Sequence, residues 1–230
     1  LEEIILAKSF LVCETKVFNE DDYLIPIQLE LDELKDEGTA QISLKMNRQD
    51  FHLGFDQYIC HYDYVHNKAG IVFNRPFTRY FEPIQFYTYY NSALGLSLIQ
   101  TRTEAANDFK KEINRTREYN LSTVIMNFEK MIPLITEVAG AWIADLNRAH
   151  LKTAGYFGPD VHKSEEYKEA AAEGNISSIM MKYIGEKTGI EHTINISKKG
   201  SLTIYDTVPT IEEELDIINE IYLKLIKPHL

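Results

Sequence analysis

Glu14 and Lys16 stand two apart in Phe10-Leu11-Val12-Cys13-Glu14-Thr15-Lys16-Val17, an apolar run that reads as a strand, so the carboxylate and the ammonium share one face. A carboxylate so placed can hold a divalent cation through hard oxygen ligands, and a lysine beside it can act on a metal-bound water. His61 and Asp63 repeat the spacing and can supply two ligands to zinc or iron, while Cys60 and His66 point to the other side. A third constellation is Asn74-Arg75-Pro76-Phe77-Thr78-Arg79-Tyr80-Phe81. Arginine and aromatic residues dominate binding hot spots, and the same combination stacks single-stranded bases. Arg75, Phe77, Arg79, Tyr80 and Phe81 therefore form the leading candidate binding set.

Glu14-Thr15-Lys16 resembles the Glu-x-Lys element of metal-dependent nucleases of the restriction-endonuclease type. The resemblance implies that Glu14 holds Mg²⁺ and that Lys16 lies beside the attacking water, with an acidic residue on a preceding strand completing the site. Only Glu2 and Glu3 precede it, and Glu33-Leu34-Lys35 and Glu166-Tyr167-Lys168 match the same tripeptide. A metal site needs three or four ligands, and His61 with Asp63 supplies two, so neither a metal centre nor another cofactor is expected. Gly95-Leu96-Ser97 opens like a nucleophile elbow, but Ile99 stands where the closing glycine belongs. Phosphate loops, dinucleotide fingerprints, Cys-x-x-Cys and His-Glu-x-x-His are absent from the sequence.

Eleven aromatic residues lie between Tyr58 and Tyr90, enough to mark either a packed junction or a recognition surface. The chain is acidic, with a formal net charge of -11, and this field disfavours nucleic-acid binding outside the more basic middle segment. Two cysteines, Cys13 and Cys60, both in apolar strands, suit reduced thiols and an intracellular, cytoplasmic location. No apolar run approaches the roughly 18 residues of a membrane span. Leu1 is not an initiator methionine, as expected of a trimmed or partial product.

The elements that must position these residues follow from periodicity. Ile25, Ile27, Leu29 and Leu31 alternate with polar positions, Ile42, Leu44 and Met46 resume the alternation after the turn Glu33–Gly38, and Pro26 points to a sheet edge. With strands over Ile4–Val17, Tyr58–His66 and Gly70–Phe73, this predicts an antiparallel sheet of about five strands. Pro83 and the spacing of Ile84, Tyr87, Leu94, Leu98 and Phe109 predict one or two helices from Glu82 to Ile113. Val124, Met126 and Phe128 alternate as a strand, Val138–Leu146 is a second apolar run, and Ser164 caps a helix over Glu165–Glu173. Thr193–Ser197 and Ser201–Tyr205 read as a hairpin, and Thr210 with Glu213 caps a helix striped by Ile211, Leu215, Ile218, Tyr222 and Leu225.

The expected fold is α+β: an N-terminal sheet leading into a helix over residues 1–120, and a mixed lobe ending in hairpin and helix over 121–230, or one domain of the same make-up. The expected function is that of a non-enzymatic interaction or regulatory protein, self-associating or binding a protein partner. An accessory factor of a mobile element or phage-defence system is a setting that suits it. The metal-dependent nuclease and a single-strand nucleic-acid binder are the alternatives.

Overall fold

The computed structural model of the chain describes residues 8–26 and 41–230. The turn expected at Glu33–Gly38, the strand positions Ile27 to Leu31 and the segment before Lys8 lie outside the described residues. The strands are β1 (Lys8–Val17), β2 (Tyr23–Pro26), β3 (Gln41–His52), β4 (Phe55–His66), β5 (Gly70–Val72), β6 (Arg75–Phe77), β7 (Tyr80–Asn91), β8 (Leu96–Gln100), β9 (Asn120–Thr123), β10 (Glu137–Ala144), β11 (Ala154–Phe157), β12 (Asn175–Ile184), β13 (Glu191–Ser197) and β14 (Ser201–Ile204). The helices are α1 (Thr103–Ile113), α2 (Phe128–Met131), α3 (Glu165–Glu173) and α4 (Ile211–Ile221).

This overturns the α+β expectation. The protein is mostly β, 46% strand and 24% helix, with a large twelve-stranded antiparallel sheet. The error lies in Glu82–Gln100, expected to be helical and in fact the strands β7 and β8. Phe86, Thr88 and Tyr90 are buried at period two, and this aromatic and β-branched stretch fits a pleated surface better than a helix. Pro83 sits in mid-strand opposite Asp63. Only α1 of the expected helical segment is a helix. Val124 and Met126 are buried as expected, but in irregular chain rather than a strand, and Phe128 opens α2.

Two units divide the chain. Cys13–Ser122 forms one. In it β8, β7, β4, β3 and β2 are neighbours in that order, with β2, the carrier of Pro26, last. Ile42, Leu44, Tyr58, Cys60, Tyr62, Phe86 and Ile99 share one face by register. Phe109 of α1 meets that face edge-on, 5.0 Å from Phe86 and 6.1 Å from Tyr62 between ring centroids. Phe18 stacks on Tyr90 at 4.2 Å and lies edge-on to Tyr58 and Tyr119. Burial pushes the Cys60 thiol up to about 12, so it packs as a neutral group.

Residues 8–12 together with Thr123–Leu230 form the other unit. Its strand order is β11, β10, β12, β13, β14 and the first half of β1, which pairs with β14 from Lys8↔Ile204 to Leu11↔Ser201. The expected hairpin is present with Ile194↔Ile204 and Ile196↔Leu202. Ile179, Met181, Ile194, Ile196, Leu202 and Ile204 are buried on one face. Lys8, in register with Ile204, forms an ion pair with Glu214, so the buried stripe Leu215, Ile218 and Ile221 of α4 lies over that face. The Thr210 hydroxyl accepts the Glu213 amide at 3.2 Å and caps α4, and the Ser164 hydroxyl does the same for α3.

Candidate functional site

β4 and β7 pair along their whole length, from Asp56↔Tyr90 to His66↔Tyr80. Among the described residues, the outermost pair of β3 with β4 is Ile42↔Tyr62, and that of β8 with β7 is Tyr87↔Gln100. Among the described residues, β4 and β7 therefore continue past Tyr62 and Ile84 as a two-stranded ribbon. The small hairpin of β5 and β6 tips it, paired through Gly70↔Phe77, Ile71↔Pro76 and Val72↔Arg75.

The turn joining β5 to β6 is Phe73-Asn74, with φ of 46° and 63°. Two successive left-handed residues make a type I′ turn, whose twist matches the flanking strands. Asparagine tolerates that conformation, but a phenylalanine does not adopt it readily. Phe73 is also 96% exposed and Ile71 73% exposed. Backbone strain and a water-facing aromatic ring are both concentrated at this one point.

A ladder of rings stiffens the ribbon. Tyr62 meets Tyr64 edge-on at 6.1 Å, Tyr64 meets His66 edge-on at 4.9 Å, and His66 stacks on Tyr80 at 4.6 Å, which in turn meets Phe77 at 6.2 Å. The far end of the Phe77 ring lies against Gly70, where a Cβ would come within 2.4 Å of it, so a side chain there would have to displace the ring. At the base, Glu82 accepts from His66 Nε2 at 2.6 Å and from Arg102 at 2.5 Å, and these bonds hold its carboxyl below the usual carboxylate range. The Arg102 guanidinium also covers the Tyr64 ring at 4.7 Å.

The expected binding set is gathered on this ribbon. Arg75 and Tyr80 are exposed, Phe77 and Phe81 are half-buried, and Arg79 lies 5.9 Å over Phe81. No Asp or Glu stands between Asp63 and Glu82, while Lys68, Arg75 and Arg79 do, so the tip is basic on an acidic chain. Phe73 belongs to the expected aromatic belt, and Ile71 lies outside both the belt and the expected binding set. The residue pair Phe73-Asn74 carried the signal, since an Asn in a short link between strand-formers marks a primed turn. The aromatic belt divides: Tyr58, Tyr62, Phe86, Tyr89 and Tyr90 are buried in the core of their unit, Phe73 and Tyr80 are exposed on the ribbon, and Tyr87 is exposed within the sheet.

The other candidates stay apart. Glu14 and Lys16 project together from β1 and are exposed, without a side-chain partner among the described residues. His61 Nε2 and Asp63 Oδ1 are 3.0 Å apart, and the other Asp63 oxygen accepts the Gln41 amide at 2.8 Å. Among the described residues, no group of three or more His, Cys, Asp or Glu is arranged to hold a metal ion, and no helix is long and apolar enough to cross a membrane. No protein-family model matches the chain, and no curated protein sequence is significantly similar to it.

Proposed function

We propose that the chain is a non-enzymatic interaction protein that associates with a second copy of itself through the distal ribbon of β4 to β7. The observation that carries this reading is Phe73, held in a strained turn and left 96% exposed where a polar residue would cost less. Ile71 and Tyr80 extend the apolar surface, and Lys68, Arg75 and Arg79 surround it with positive charge. The formal charge of the whole chain is -11, and the remainder without the tip is more acidic still, so a second copy offers the complementary field. The same field repels a phosphate backbone, which ranks nucleic acid behind protein as the partner.

Light scattering at micromolar concentrations tests the proposal. The wild-type mass is expected to be that of a dimer or larger, and the double change Ile71→Ser with Phe73→Ser should return it to the monomer without moving the thermal transition. A wild-type protein that stays monomeric at high concentration overturns self-association. Single-stranded DNA or RNA binding that fails in the same variant and weakens steeply with salt would put nucleic acid in the partner's place.

A further inference from the structure

A pocket of about 410 Å³ opens within the Thr123–Leu230 unit, where the start of β10, the end of β12 and the turn after α4 meet. Its size falls in the range of ligand-enclosing sites, roughly 300–1,000 Å³. Met181 and Tyr183 line it from one face of β12, two residues apart, and the Tyr183 hydroxyl donates to Glu220 Oε2 at 2.9 Å, so this is the face that α4 covers. Leu225, also buried, adds to the apolar lining, and Leu134 stands 55% exposed at the mouth. Lys224 and Leu225 belong to a π-helical turn, Tyr222–Ile226, a distortion of the helix that is frequent at functional sites.

The surroundings of the pocket are acidic. From Ile211 to Ile226 the chain carries Glu212, Glu213, Glu214, Asp216 and Glu220 against Lys224 alone. Lys8 pairs with Glu214, Lys187 with Asp216 and Lys224 with Glu186, while Glu212, Glu213 and Glu220 have no basic partner among the described residues. The tip of the ribbon is the converse. Phe73 and Ile71 are exposed apolar side chains, and Lys68 and Arg75 are exposed beside them. Interfaces are anchored by aromatic side chains that fill pockets on the partner, and opposite fields bring such surfaces together.

We infer that this pocket is the receptor for the ribbon tip of a second copy, with Phe73 seated against Met181, Tyr183 and Leu225 and the basic residues facing the carboxylates of α4. The inference rests on the self-association proposed above and names the surface that completes it. Its test pairs two full-length variants: Ile71→Ser with Phe73→Ser, which keeps the pocket, and Leu134→Lys with Glu186→Lys, which keeps the tip. Tip and pocket are different surfaces, so each variant supplies the half that the other lacks. Each should scatter light as a monomer, and an equimolar mixture should regain a species of twice the monomer mass. A mixture that stays monomeric would overturn the inference, and so would a folded pocket variant that keeps the wild-type mass while the tip variant has lost it. A monomeric wild type would remove the association itself, and the inference with it. ¹³C-methyl-methionine labelling of the tip variant gives a reading that needs no change in the pocket. The Met181 resonance should shift saturably on addition of unlabelled wild-type protein and stay still with the unlabelled tip variant. An unmoved Met181 while the mixed species forms would overturn the pocket as the receptor.

Discussion

The hydroxyl of Tyr58 is buried without a hydrogen-bond partner among the described residues, its ring packed edge-on against Phe18 at 5.0 Å. Burial, with Asp56 and Glu20 adding negative charge nearby, pushes its phenol far above the ordinary range, so it stays neutral and still lacks an acceptor. An unsatisfied buried polar atom costs stability, and Tyr58→Phe removes it with almost no change in shape. The variant is expected to be more stable by about 1 kcal/mol in urea titration, and a loss would mean that the hydroxyl has a partner in solution. Glu82 makes a second case. Its folded carboxyl is held below the usual range by His66 first and Arg102 second, so what it contributes is present above the ordinary carboxylate pKa and is lost as pH falls through the lowered value. Protection of the His66 and Tyr80 amides, measured as the exchange rate relative to the unfolded chain at the same pH, should therefore fall as the Glu82 carboxylate is protonated, and Glu82→Gln should show the lower protection already at neutral pH.

The hairpin of β13 and β14 and the helix α4 were legible because their signals are local: a glycine turn, a capping box and a stripe at helical spacing. Each can be broken by one change. Gly200 has φ of 80°, and a Cβ there would lie 2.6 Å from the Val124 carbonyl oxygen and 3.2 Å from that of Val12, so Gly200→Ala should cost about 2 kcal/mol or more. Leu215 is fully buried, and Leu215→Ala should cost about 2–5 kcal/mol, against about 1 kcal/mol for loss of the Thr210 cap. Denaturation midpoints of the three variants check that order. β7 and β8 were misread for the opposite reason. Ile84, Tyr87, Leu94 and Leu98 mimic helical spacing, whereas the burial that decides the matter, at Phe86, Thr88 and Tyr90, depends on neighbours β4 and β8 that no local window contains.

The same limit governs the candidate sites. Arginines and rings adjacent in sequence marked the segment, but that Phe73 is exposed and Tyr58 buried depends on strand pairings, among the described residues, that no local window contains. For the proposed association, charge distribution makes a further prediction. A basic tip meeting the acidic surface of another copy is held partly by screened electrostatics, whose reach falls from about 10 Å in 0.1 M salt to about 3 Å in 1 M. The dissociation constant should therefore rise several-fold over that range in sedimentation equilibrium. Changing the exposed Lys68 and Arg75 to glutamine should flatten the dependence. An association driven by Ile71 and Phe73 alone would instead hold or tighten as salt rises, because excluded salts strengthen apolar burial. A constant or falling dissociation constant would thus remove the charged tip from the interface while leaving its apolar residues there.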